Sequence, residues 1–389
     1  MPNLAGKSLL SNFFRTITVI AVLVFCQPLL GTPVEPSLKQ KIGQMLMLGF
    51  QGKNLGPHDA IVQDILAQRI GGVVLFAENP QPNENHNISN PKQVKQLTKS
   101  LQTYARQAAA QQHNQLDPLF IAVDYEGGSA NPLKPQFGFP DTFSAAEIAF
   151  LSERDAANAA ERMATTLKRL GLNLDFAPVV DVNVNPNNPV ISHFNRSFST
   201  DPGKVTFYAK QYEQAFHRAG ILCAYKHFPG HGSSTSDSHK NFVDITKTWK
   251  KYELTPYQQL LSDSNACDFV MVGHLINHHL DASGLPATLS NKMITGLLRQ
   301  QLHFSGIVIT DDLQMKAIAD HFTMAQSLRL AINAGADILL FANQFPAPRQ
   351  DAYKLIDMIY ADVQNGKIPE ARINEAYSRI LKLKLRMQS

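Results

Sequence analysis

Cysteine is scarce in this chain, with three in 389 residues, and tryptophan scarcer, with one. So few thiols exclude a disulfide-built scaffold, and no Cys/His spacing resembles a metal site, so no metal is expected. Charge is thin as well: 17% of residues are Asp, Glu, Lys or Arg, and the formal net charge is only +4. The basic residues are scattered without a dense run, which argues against a nucleic-acid-binding stripe. No G-x-G-x-x-G follows the first apolar segment, so a dinucleotide-binding open sheet lacks its signature. No Pro/Gly/Ser linker divides the chain beyond its N-terminal segment, so residues 32–389 are expected to form one domain.

The N-terminal segment reads differently from the rest. Lys7 and Arg15 form a basic region, followed by the apolar run Ile17 to Cys26 and then Pro28 and Gly31. The run is short of the roughly 20 apolar residues a membrane span needs, and its layout fits an export signal over residues 1–31. Phe25 before Cys26 is too bulky for a lipoprotein signal. The mature protein is therefore expected to be periplasmic or secreted, without stable membrane insertion, and monomeric by default. Cys223 and Cys267 then remain, read as two packed thiols on buried strands, with a disulfide open to them in an oxidising compartment.

Eight short apolar segments follow: residues 45–50, 70–76, 119–123, 172–176, 221–225, 269–272, 306–310 and 337–341. They are near-continuous rather than alternating, as parallel strands buried on both faces should be. Amphipathic stretches separate them, such as 158–170, 205–219 and 291–302, and Gly171, Gly220 and Gly335 stand at helix stops. The last stretch, 368–387, reads as one amphipathic helix. Eight strand–helix units predict an α/β fold, a single-domain (β/α)₈ barrel of the TIM type. The Asn- and Pro-rich stretch 79–91 reads as a solvated rim loop.

Polar residues just past the strand ends should meet at the mouth of such a barrel. They are Asp124 and Glu126 after the third segment, Asp175 and Asp181 after the fourth, Lys226, His227 and His231 after the fifth, and Asp311-Asp312 after the seventh. Buried charges cost several kcal/mol each unless paired, so such a ring binds something polar or satisfies itself. Asp237 and His239 lie on a Ser- and Gly-rich loop. A carboxylate two residues from an imidazole can bond one ring nitrogen and leave the other for substrate.

The run Lys226-His-Phe-Pro-Gly-His-Gly followed by Asp237-Ser-His239 resembles the signature of family 3 glycoside hydrolases, in the β-N-acetylglucosaminidase branch. The resemblance extends from Lys41-Ile-Gly-Gln-Met through Asp124-x-Glu-Gly-Gly, the Asp175 to Asp181 run and Arg196-Ser-Phe, to Asp311-Asp-Leu and Ala334-Gly-Ala-Asp337. It implies a retaining enzyme that removes terminal β-linked N-acetylglucosamine from a glycan, such as a peptidoglycan fragment or a chitooligosaccharide. Asp311 would be the nucleophile, and His239 with Asp237 behind it the acid/base. Asp124, Arg196, Lys226 and His227 would bind the sugar, and no cofactor is implied. In many family members a second domain supplies the acid/base; here the chain's own loop would. Cations from Lys226 and Arg196 are expected to favour Asp311 ionisation. Asp312 is the alternative nucleophile, while Asp181, His231 and His274 read as supporting packing. Family members usually carry arginine after Glu-Gly-Gly where this chain has Ser129, which alters that edge of the site. The competing readings are a β-glucosidase or xylosidase, an N-acetylglucosaminide phosphorylase, a Schiff-base lyase on Lys226, and a non-catalytic sugar-binding protein.

Overall fold

The computed structural model describes residues 35–77, 86–116, 118–344 and 348–388. The export-signal segment 1–31 and most of the Asn/Pro-rich stretch lie outside them. Eight strands run in parallel: β1 (Leu46–Gly49), β2 (Gly72–Val74), β3 (Phe120–Val123), β4 (Leu174–Asp175), β5 (Leu222–Phe228), β6 (Phe269–Val272), β7 (Ile307–Thr310) and β8 (Leu339–Phe341). Neighbours in sequence are neighbours in the sheet, and β8 returns to pair with β1. A parallel bridge from Ile309 to Ile338 closes the remaining seam between β7 and β8. The predicted (β/α)₈ barrel is thus the fold.

The local sequence explains the elements. Every barrel strand is buried along its whole length, which is why the segments lacked polar alternation. The helix Glu153–Leu170 starts on a Ser152 cap, and Pro202–Ala219 on an Asp201 cap with proline at its first position. Gly171, Gly220 and Gly335 end their helices in the left-handed conformation, as the stop signals required. Among the described residues, no helix is long and apolar enough to cross a membrane.

Two features differ from the sequence reading. Cys223 and Cys267 form a disulfide, tying the start of β5 to the residue pair preceding β6 rather than packing as thiols. The described end of the Asn/Pro-rich stretch is not a solvated loop. Asn87 is buried, accepts the Phe76 N–H, and donates to the carbonyls of Phe50 and Gly52, so it clasps the ends of β1 and β2.

At the foot of the barrel, opposite the strand C-termini, Asp337 is fully buried and collects three guanidinium groups, those of Arg299, Arg372 and Arg379. Its carboxylate also accepts the Val308 N–H at 3.0 Å. This one side chain therefore fastens the helix Glu370–Gln388 and the seam beside β7. Asp337→Asn would strand three cations around a neutral amide. It should cost about 3–5 kcal/mol, read as a lower urea midpoint, with turnover below the melting range unchanged.

Candidate active site

Strand C-termini converge on a pocket of about 440 Å³. Its best-defined wall is an ionic network. Asp124 and Glu126 follow β3, and Lys226 reaches both, with Nζ 2.6 Å from a carboxylate oxygen of each. Arg196, from the segment after β4, grips Glu126 with Nε and Nη2, each at 2.7 Å. This fork is the strong, directional form of a charge pair. Burial alone would raise the Glu126 carboxyl, but Arg196 and Lys226 hold it far below the usual carboxylate range. Burial likewise opposes charge on Lys226 and Arg196, yet their carboxylate partners keep both more basic than usual. Asp124 is the member that faces open space, with 42% of its side chain exposed against 2% for Lys226.

Lys226 and His227 are adjacent, and in a regular strand they would point to opposite faces. Between Tyr225 and Phe228, β5 spends one more residue than β6 does, and this bulge lets both line the pocket. Behind His227 lies Asp181, fully buried, which accepts His227 Nδ1–H at 2.7 Å and the backbone N–H groups of His227 and His231. That bond fixes the tautomer and leaves His227 Nε2 toward the pocket, 3.4 Å from Arg196 Nη2.

Asp311 stands at the end of β7, across the barrel from Asp124. Its backbone is held by Val272, and its Oδ1 accepts the Asp312 N–H at 2.8 Å. Burial pushes its carboxyl up, but the imidazoles of His274, His227 and His239 outweigh this and bring it down to about 2. The expected help from Lys226 and Arg196 is thus replaced by histidines. Asp312 also lines the pocket, but its Oδ1 is capped by the N–H groups of Gln314 and Ala342. Burial lifts its carboxyl to about 6. Of the two neighbours, Asp311 is thus held in the ionised form and Asp312 pushed toward the neutral one. His274 is fully buried behind it and bonds the Asp312 carbonyl through Nε2 at 2.8 Å and Thr288 Oγ1 through Nδ1 at 2.6 Å.

The loop after β5 is anchored at its root. A Cβ on Gly232 would lie 1.6 Å from the Val182 carbonyl oxygen, so only glycine lets the loop pass there. His231 is buried, bonds Ser234 through Nδ1 and Ser238 through Nε2, and desolvation lowers its pKa to about 4. On either side of the Ser238 anchor the loop carries Asp237 and His239 to the rim. His239 Nδ1 is 2.8 Å from Asp237 Oδ1, which also accepts the His239 backbone N–H. Although burial opposes it, these two N–H donors hold the Asp237 carboxyl below its usual value. The His239 side chain is 62% exposed and lines the pocket, with Nε2 directed away from its carboxylate partner.

The structure therefore brings Asp124, Arg196, Lys226, His227, His239 and Asp311 to one pocket, with Asp237 behind His239. Asp175 is not at the mouth. It is fully buried, accepts the Tyr125 N–H, and desolvation raises its carboxyl well above the ordinary range. Glu126 was underweighted in the sequence, although its two-residue spacing from Asp124 was the available signal. Asp181 and His274, read in the sequence as supporting packing, do sit behind pocket residues, but their partners His227 and Thr288 could not be named from the sequence.

The fold and pocket define a (β/α)₈ barrel with a carboxylate on one wall and a carboxylate–imidazole pair at the rim. The chain belongs to glycosyl hydrolase family 3, whose N-terminal domain model matches residues 37–383. It is 33% identical over 390 residues to the β-hexosaminidase A of Pseudoalteromonas piscicida, covering 91% of this chain and 62% of that protein. The β-hexosaminidase LpqI of Mycobacterium tuberculosis is 34% identical over 275 residues, covering 69% of this chain and 68% of its own length. In structure the chain resembles a family 3 β-N-acetylglucosaminidase from a Paenibacillus species, with a TM-score of 0.80 at 31% identity. That match covers 91% of this chain and 64% of the Paenibacillus chain. The chain thus spans somewhat under two thirds of the Pseudoalteromonas and Paenibacillus proteins.

The Asp181 contact makes a prediction of its own. In Asp181→Asn an amide would face His227 Nδ1 and flip the ring's tautomer, turning an N–H toward Arg196. Steady-state kinetics should show kcat/KM reduced by about 10–100-fold in a protein that still folds.

Proposed function

We propose that this protein is a retaining, exo-acting β-N-acetylglucosaminidase that works through a covalent glycosyl-enzyme on Asp311. The observation that carries this reading is the placement of the Asp237–His239 pair and the ionised Asp311 around one pocket. A retaining glycosidase needs those two functions, one group to attack the anomeric carbon and one to protonate the leaving oxygen. Asp124, Arg196, Lys226 and His227 hold the hydroxyls of the terminal sugar, and the preformed ionic network means that binding need not organise them.

In the first step an Asp311 carboxylate oxygen bonds to C1 while the glycosidic C–O bond breaks. The His239 imidazolium gives its Nε2 proton to the departing oxygen, and Asp237 stabilises the cation beforehand. In the second step neutral His239 takes a proton from water, the water oxygen attacks C1, and Asp311 is released as a carboxylate. Two inversions return the β-anomer.

The natural substrate is a glycan ending in β-linked N-acetylglucosamine, a peptidoglycan fragment or a chitooligosaccharide. The names of the relatives support this class, and export supports a substrate outside the cytoplasm. We take residues 1–31 as the export signal and 32–389 as the catalytic domain, acting as a monomer in the periplasm or beyond. The Cys223–Cys267 disulfide agrees with an oxidising compartment.

Release of nitrophenol from 4-nitrophenyl N-acetyl-β-glucosaminide tests the assignment. Asp311→Ala should abolish turnover, and His239→Ala should lower kcat by about 10²–10⁴-fold with a parallel fall in KM, accumulating glycosyl-enzyme, since the nitrophenol leaving group needs little protonation while the attacking water still needs a base. Cleavage of the glucoside but not the N-acetylglucosaminide would overturn the sugar, and a rate that rises with phosphate would replace hydrolysis by phosphorolysis.

A further inference from the structure

The loop that carries Asp237 and His239 is closed at its base by the chain that follows it. After His239 the chain adds a short strand, Val243–Asp244, parallel to Leu275–Ile276 beyond β6. Val243, Ile245 and Leu275 make a small apolar cluster there, and Trp249 packs against it. The chain then turns through Lys251–Leu254 and meets the point where the loop leaves β5. Two bonds close this neck. Trp249 Nε1 donates to the Pro229 carbonyl at 3.1 Å, and Glu253 Oε2 accepts the Ser233 N–H at 3.2 Å. Residues 229–253 are therefore an excursion pinched at its base, with Asp237 and His239 midway along it.

The neck leaves little room. Gly230 has positive φ, and a Cβ on it would lie 2.9 Å from the Glu253 Cβ. Glu253 is fully buried, and its Oε1 accepts the Lys250 N–H at 2.9 Å. That bond braces the carboxylate from its own segment while Oε2 faces the loop. Burial, with Asp181 repelling a second anion, lifts the carboxyl to about 7 despite the two N–H bonds. A carboxylate is costly to keep in such a place, so its presence points to a task.

The contacts that follow Ser233 show what the neck controls. His231 Nδ1 meets Ser234 Oγ at 2.8 Å, and His231 Nε2 meets Ser238 Oγ at 3.3 Å. Ser238 is the residue between Asp237 and His239. A shift of the Ser233 backbone thereby reaches the carboxylate–imidazole pair through one buried imidazole. Neither Glu253 nor Trp249 lines the pocket itself.

We propose that Glu253, with Trp249 beside it, is a positioning residue for the acid/base pair: by holding the Ser233 N–H it closes the neck of the 229–253 loop and sets where His239 stands over the pocket. The proposal rests on the reading of His239 as acid/base given above. It assigns to a buried carboxylate outside the pocket an effect on proton transfer that leaves sugar binding alone.

The test uses Glu253→Gln, which keeps the volume but turns an amide N–H group toward one of the two backbone donors. Wild type, Glu253→Gln, His239→Ala and the double variant are compared on phenyl and 2,4-dinitrophenyl N-acetyl-β-glucosaminides, with kcat/KM reporting the glycosylation step. Glu253→Gln should lose about tenfold on the phenyl substrate, whose leaving oxygen needs a proton, and less than about twofold on the dinitrophenyl one. Inhibition by N-acetylglucosamine should be unchanged, and the double variant should be no slower than His239→Ala, since both substitutions remove the same function. Hydrogen exchange read by mass spectrometry follows the loop without turnover. Amides of residues 231–241 should exchange faster in Glu253→Gln, with those of β5 and β6 unchanged. Trp249→Phe, which deletes the other bond of the neck, should give the same pattern and carries the test if Glu253→Gln does not fold. If wild type cleaves neither substrate but the loop alone exchanges faster in the variants, the hexosaminidase reading falls and the neck assignment stands. Equal losses on both substrates, a loss that multiplies with that of His239→Ala, or unchanged loop exchange overturns the proposal.

Discussion

Four paired charges at one end of the barrel, with Asp124 the one open to the pocket, set the terms for everything else in this site. Asp124 and Glu126 meet Lys226 and Arg196 in a network whose formal charges cancel, with contacts of 2.6–2.7 Å. Removing Glu126, Lys226 or Arg196 would leave an uncompensated charge among buried groups, so these members stand or fall together. Across the barrel, the nucleophile candidate Asp311 is held low chiefly by neighbouring histidines rather than by these two cations. In the proposed mechanism, holding the sugar falls to the ionic wall and proton transfer to a more exposed loop.

That division shows in how the side chains are fixed. Apart from Arg196, which comes from the long segment after β4, the wall residues sit just past a strand end or on a bulge, which are rigid positions in a barrel. Asp237 and His239 lie further out, on a loop clamped at its root by Gly232, His231 and the Asp181 carboxylate and again between the pair at Ser238, whose hydroxyl meets His231 Nε2. An acid/base group must serve a departing aglycone and then a water molecule, and partial exposure suits a group that exchanges partners. The Asp181 carboxylate links the two halves, since it orients His227 in the wall and the His231 backbone in the loop.

Much of this was legible in the sequence because parallel barrels bury both faces of every strand. Segments such as Phe269–Val272 could be bounded almost to the residue, and glycines at 171, 220 and 335 marked where helices stop. The mouth residues were legible because they directly follow strands. What could not be read is pairing at a distance. Nothing near Asp181 names His227 as its partner 46 residues on, and nothing near Asp337 names three arginines. Asp175 misled for the same reason, because its position after Leu174 fits the mouth pattern while its carboxylate is turned into the barrel beneath Tyr125. The bulge in β5, which brings Lys226 and His227 to one side, is likewise a matter of register with β6 and leaves no trace in composition.

The central claim is that Asp311 attacks the sugar directly, so cleavage passes through two inversions at C1. Proton NMR of the first product formed, recorded before mutarotation, tests this more directly than any variant. The account predicts that β-N-acetylglucosamine appears first and the α-anomer grows in later. Initial release of the α-anomer would mean a single inversion by water, and Asp311 would then be a base rather than the nucleophile.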